Sequence, residues 1–245
     1  MNPDLVLGLL FLVAAILYAS VGHAGASAYL AAMALMGVDP AVMRPTALVL
    51  NVAVASLVTF QFWRAGYVQF RAVLPFVAGS IPLSFIGGLI ILDPTIYKPL
   101  VGIVLLLAAA RFLIRPSAGT AEGPVQAPVV LAVVIGAGIG LLAGLTGTGG
   151  GIFLTPVLLF AGWAGTRHAA GTSAAFILAT SASGLIAQLQ RGVTLPEAMP
   201  WWVAATLVGA LIGSQLGATR LSSPRLRQAL GVVLLIAGLK LIYFG

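Results

Sequence analysis

Residues Gly136–Pro156 read GAGIGLLAGLTGTGGGIFLTP. Gly136, Gly140 and Gly144 recur every four residues, which places them on one face of a helix, and such a stripe of small residues lets a second helix come close. The run then breaks into Gly147-Thr148-Gly149-Gly150-Gly151 and restarts toward Pro156. Such a break strips several backbone N–H and C=O groups of helical partners, which hydrocarbon does not tolerate unless protein or a polar cavity takes them up. The break is therefore the leading candidate for a binding site.

The rest of the composition places that helix in a membrane. The 245 residues are 60% hydrophobic and 7% charged, with a mean hydropathy of +1.12, a balance that no soluble domain needs. Long apolar runs between short polar turns indicate helices, because a barrel strand would alternate residue by residue. The expected class is an all-α integral membrane protein in contact with the lipid bilayer. Met1–Asp4 carries no basic residue, so Leu5–Val21 reads as a retained segment rather than a signal peptide.

Several chemistries fall away on composition. The net charge of +7 comes from 12 basic residues scattered over turns, which suits a topology signal and not a nucleic-acid surface. Without cysteine there are no disulfides, thiolate metal sites or cysteine nucleophiles. His23 and His168 are far apart, and Gly147–Gly151 lacks the lysine of a phosphate-binding loop, so no metal, nucleotide or other cofactor is expected. No nucleophile–base pair or paired carboxylates point to an enzyme. No carboxylate lies mid-segment, which limits coupling to His23, to protonation of the substrate itself, or to an ion held by exposed carbonyls at the breaks.

The chain also repeats itself. Gly22 precedes Gly147 by 125 residues and Gly37 precedes Gly162 by 125, while Gly66 and Gly87 precede Gly192 and Gly213 by 126. This constant offset predicts two transmembrane repeats, 1–115 and 129–245, joined by a cytoplasmic linker, 116–128. Apolar segments fall at Leu5–Val21, Ala26–Gly37, Pro45–Trp63, Val73–Leu92 and Leu100–Ile114, then at Val129–Leu145, Ile152–Trp163, Ala169–Leu189, Met199–Ala218 and Leu226–Phe244. The second segment of each set, about 12 residues and about 18 Å, is too short to cross a core of about 30 Å. Each repeat is thus expected to be a helical hairpin with a broken tip, Val21–Ala26 or Thr146–Gly151, followed by three transmembrane helices.

Charge decides the relative orientation of the repeats. With the repeats inverted and the N-terminus outside, Arg64, Arg71, Arg111, Arg115, Arg167, Arg220, Arg225 and Arg227 lie inside, and Arg44, Lys98, Arg191 and Lys240 outside. Parallel repeats split the same residues evenly. The bias of positive charge to the inside favours inversion.

Inverted repeats with interrupted segments are the layout of secondary transporters, whose site lies where the breaks meet. Helix N-termini after Gly25 and Gly150 would aim backbone N–H groups into that space, where an anion is the natural guest. Gly22, Gly147, Gly149 and Gly151 let it approach the backbone, and Ser20, Ser27, Thr146, Thr148 and Thr155 add hydroxyls. Asn51, Thr172 and Ser173 are polar residues within apolar segments, serving either substrate or helix contacts. His23 either faces the anion or is satisfied by a carbonyl. Arg64 and Arg191 end matching segments and either snorkel to headgroups or draw anions to an entrance.

Gly144-Leu-Thr-Gly-Thr-Gly-Gly-Gly followed by Pro156, echoed by Ser20-Val-Gly-His-Ala-Gly-Ala, resembles the TauE/SafE sulfite exporter family of membrane transporters, over nearly the whole chain. The turns at Arg64-Ala65-Gly66 and Arg191-Gly192 fit the same resemblance. It implies an inner-membrane permease for sulfite, organosulfonates and related organosulfur anions, to which the interrupted repeats add alternating access; a carrier of another small oxyanion such as sulfate or thiosulfate stays open. An anion channel is the alternative. The expected partner is a small anion, with proton coupling and a homodimer as open expectations. The first tip departs from the pattern, with His23, Ala24 and Ala26 where the second has Thr148, Gly149 and Gly151.

Overall fold

The computed structural model describes residues 3–20, 22–113, 123–219 and 224–243. Among them the chain forms ten helices and no strand: α1 (Pro3–Ala19), α2 (Ala26–Leu35), α3 (Pro40–Arg64), α4 (Phe70–Leu89), α5 (Pro94–Leu113), α6 (Val129–Thr146), α7 (Gly151–Phe160), α8 (Thr166–Gln190), α9 (Met199–Thr219) and α10 (Pro224–Tyr243). Their lengths run 17, 10, 25, 20 and 20 residues, then 18, 10, 25, 21 and 20. The ten-residue arms α2 and α7 are each about 15 Å long. Four described helices, α3, α4, α6 and α8, are long and apolar enough to cross a membrane. Of the expected linker, 116–122 lies outside the described residues. Its last part runs beside the turn after α7, where Gln126 N–H donates to Trp163 O at 2.8 Å.

Two helix starts correct the sequence reading: α5 opens at Pro94, six residues before the expected Leu100, and so takes in Tyr97 and Lys98, and α3 opens ahead of Pro45. Pro45 does not open the third segment; it lies inside α3, which starts five residues earlier. The Asp39 side chain accepts the Ala41 N–H at 2.7 Å and Pro40 follows at the first helical position, a strong start signal. The shift moves Arg44 from a turn into a helix.

Glycine brings the helices together. Along α6, a Cβ at Gly136, Gly140 or Gly144 would run into the backbone carbonyl of Phe76, Ser80 or Ser84 on α4. The stripe is therefore a packing surface, with polypeptide backbones in direct contact. On the other side of the molecule Gly209 and Gly213 of α9 press the same way on Leu12 and Ile16 of α1. Between these pairs lie α3 and α8. Asn51 meets Ser181 and Leu48 meets Gly184, so the two helices run antiparallel. α5 and α10 are antiparallel as well, since Gly102 meets Gly238 while Ala109 meets Gly231. One apolar core joins α1, α2, α3, α5, α9 and α10, and another joins α4, α6, α7 and α8. A smaller cluster of Ala19, Ala24, Val54, Ala55, Val58, Ala174, Ile177 and Ala210 lies at the α3–α8 crossing.

Candidate functional site

Both breaks end on that crossing. In the first, the Gly22 N–H reaches Ala19 O at 3.1 Å and the His23 N–H reaches Tyr18 O at 2.9 Å, closing α1. Gly22 and Gly25 have φ of 79° and 105°, a left-handed backbone that favours glycine, and Gly25 caps α2. A Cβ at Gly22 would lie 2.7 Å from Ala170 Cβ on α8, and Ala24 packs in the cluster with Ala55 and Ile177. In the second, Gly147, Gly149 and Gly150 have φ of 83°, 71° and 78°. A Cβ at Gly147 would lie 3.0 Å from Arg44 O and 3.2 Å from Arg44 Cγ; one at Gly149 would lie 2.7 Å from Ser181 Oγ and run into Asn51 Nδ2. Gly151 presses in the same way on Ile177. The tips thus reach the middle of the antiparallel pair from its two ends.

Polar groups at the tips are tied down unevenly. Ala24 O accepts the Tyr29 hydroxyl at 2.6 Å, and its counterpart Gly149 O accepts the Thr180 hydroxyl at 2.8 Å. Thr146 O accepts from Tyr97 at 3.2 Å, and the Thr146 and Thr148 hydroxyls lie 2.9 Å apart. The Thr155 hydroxyl donates to Ser173 at 2.7 Å, so its lone pair receives the N–H of His23 Nε2 at 3.0 Å. His23 therefore ties the first tip to α7, and Thr155 carries the link on to Ser173 of α8.

Other groups have no partner. Among the described residues, no acceptor takes the N–H groups of Ala24 and Gly25, nor those of Gly149 and Gly150, all on buried residues. A buried donor in that condition costs about 1–3 kcal/mol, so each pair is a standing offer to an anion or water. Asn51 is fully buried; Nδ2 donates to Ser181 at 3.2 Å while Oδ1 has no partner, and Thr172, also buried, has none for its hydroxyl.

Not every expected residue converges. Ser20 donates to Leu17 O at 2.7 Å and Ser27 pairs with Tyr18 at 2.5 Å, so both hydroxyls serve the first hairpin itself. Arg64 is exposed, stacked 5.8 Å from the Phe60 ring, while Arg191 is half-buried at the end of α8. Two residues that the sequence did not assign lie against the second tip: Tyr97, and Arg44, which is buried within α3 and not displayed at an outer turn. The Asp39-Pro40 start signal could have placed Arg44 inside a helix; nothing local marks Tyr97.

Apolar helices of membrane-crossing length, carrying two buried backbone breaks, make this a polytopic helical membrane protein. The chain belongs to the sulfite exporter TauE/SafE family, whose model matches residues 7–241. It is 41% identical over 240 residues to the probable membrane transporter protein y4hK of Sinorhizobium fredii, covering 97% of each chain. It is 27% identical over 244 residues to the probable membrane transporter protein YjnA of Bacillus subtilis, covering 90% of this chain and 92% of that one. No solved structure matches it. The protein is a membrane transporter of this family.

Proposed function

We propose that the protein carries small sulfur oxyanions, sulfite or an organosulfonate, across the inner membrane by alternating access. The observation that supports this reading is the pair of unpartnered N–H groups at each tip, Ala24 and Gly25 on one side and Gly149 and Gly150 on the other, at the N-termini of two short helices. Backbone donors and the positive ends of two helix dipoles suit an anion and repel a cation. The candidate binding set is Gly22, His23, Gly25, Asn51, Thr146, Thr148 and Gly147–Gly151, with Ser173 reached through Thr155. Thr172 is a buried neighbour, and Ser20 and Ser27 shape the first hairpin.

Inversion of two repeats, 1–115 and 129–245, underlies the mechanism. It is supported by the antiparallel packing of counterpart helices, α3 on α8 and α5 on α10, since a two-fold axis in the membrane plane reverses helix direction. Single cysteines at Asn2 and Gly119 of this cysteine-free chain should react from opposite sides of the membrane, since an odd number of crossings in the first repeat inverts the second; reaction from one side would rule inversion out.

His23 is the group we assign to proton coupling, through its bond to Thr155. The deciding experiment is labelled sulfite flux in proteoliposomes, with and without a pH gradient, competed by sulfate, sulfoacetate and taurine. Saturable, competable flux is expected. Unitary conductance would make the protein a channel, and no flux of any of these solutes would withdraw the substrate class.

A further inference from the structure

Arg44 is the fifth residue of α3, which places it one turn inside the helix, where it is 5% exposed. Its guanidinium reaches the C-terminal end of α4, with Nη1 donating to Ile90 O at 2.9 Å and Nη2 donating to Gly87 O. Those carbonyls are the negative end of a helix dipole and offset part of the charge. They do not complete its coordination. The buried Nε–H has no acceptor, and among the described residues no carboxylate pairs with Arg44.

The neighbouring acids are spent locally, Asp39 on the Ala41 N–H and Asp93 on Thr95. Arg191 adds a second positive charge close enough to repel the first. A buried cation without an anionic partner is costly, and here it abuts the second tip, with Cγ against Gly147. Where Gly147 faces Arg44, its counterpart Gly22 faces Ala170, so the first tip has no such charge.

We propose that Arg44 is the counter-charge for the transported anion, binding its sulfur-oxyanion end at the second tip through the vacant Nε–H and the full guanidinium charge. The inference rests on the anion-carrier reading above. It gives the substrate a direction: the oxyanion faces Gly147–Gly150 and the other end faces His23.

The test is concentration-dependent uptake of sulfate, sulfite and methanesulfonate into proteoliposomes holding wild-type protein, R44Q or R44K, with thermal unfolding measured alongside. R44Q should raise KM about tenfold or more, and more for the dianion sulfate than for the monoanion methanesulfonate. R44K keeps a charge and donors for the two carbonyls but loses the planar fork, so KM should rise several-fold at nearly unchanged unfolding temperature. Wild-type KM for all three anions in R44K, and in R44Q where it folds, would overturn the proposal and reduce Arg44 to a cap on α4. Absence of saturable anion flux in the wild-type protein would instead overturn the carrier reading itself.

Discussion

The two tips share a backbone plan and differ in how they are filled. Both enter through a left-handed glycine, Gly22 or Gly147, and both leave through another, Gly25 or Gly150. Between these lie His23-Ala24 in one and Thr148-Gly149 in the other, and only Gly149 is left-handed. The first tip is stapled by side chains, with His23 on Thr155 and Tyr29 on Ala24 O. The second is held by Thr180 on Gly149 O and Tyr97 on Thr146 O, and its glycine backbone presses on Asn51 and Ser181 beside a buried arginine. In the carrier reading proposed above, these two ends would give an anion site a histidine on one side and a buried arginine on the other.

The comparison breaks most sharply at Gly149. Gly149→Val forces a β-branched residue into φ 71° and into Asn51 and Ser181, and should abolish sulfite uptake, a loss of about a hundredfold or more. Ala24→Gly at the counterpart position should leave uptake within about twofold, since Ala24 needs no left-handed backbone. Equal sensitivity of the two positions would deny that the tips differ.

A smaller effect is expected at His23. His23→Gln keeps a donor for Thr155 but cannot titrate, so the response of uptake to a pH gradient should vanish while exchange at equal pH stays within a few-fold of wild type. A retained gradient response would remove His23 from coupling.

The carbonyl caps sharpen the contrast further. Tyr29→Phe leaves Ala24 O without its donor and should cost about 1–2 kcal/mol in unfolding free energy. Thr180→Val should cost less, because the Thr180 hydroxyl already lies 2.6 Å from Phe176 O and shares its proton within α8. Denaturant unfolding of the two variants gives the order.

The smallest effect lies outside the tips. Asp93 accepts from the Thr95 hydroxyl and N–H, which hold its carboxyl below the usual carboxylate range. A lowered folded-state pKa contributes stability that is present above the unfolded value and lost as pH falls through the folded one. The gap in unfolding temperature between wild type and Asp93→Asn should therefore narrow in acid, with uptake at neutral pH unchanged.

Much of this was legible in the chain because it is periodic. The four-residue glycine stripe announced a helix packed backbone to backbone, and the long apolar runs between short turns announced an all-helical chain. Arg44 was misread because Pro45 looks like a helix start and a basic residue beside it looks like a turn; the capping pair Asp39-Pro40 outweighs that signal. What no local pattern carries is convergence. Asn51 and Ser181 are 130 positions apart and meet only because α3 and α8 cross, and the link from His23 to Thr155 spans the two halves in the same way. Ser20 and Ser27 show the reverse: a hydroxyl near a tip in sequence bonds within its own hairpin when a carbonyl or phenol is closer.

The glycine stripe also acts as a ruler. Gly136, Gly140 and Gly144 seat on the carbonyls of Phe76, Ser80 and Ser84, so the matching pattern on both helices has the same step of four residues, about 6 Å. Gly79 and Gly87 of α4 press in return on the carbonyls of Val133 and Leu141 of α6, so a step of four residues in either direction would bring Leu83 against a carbonyl. One register alone puts glycine at every close approach, so α4 and α6 are keyed together and any motion carries them as one piece.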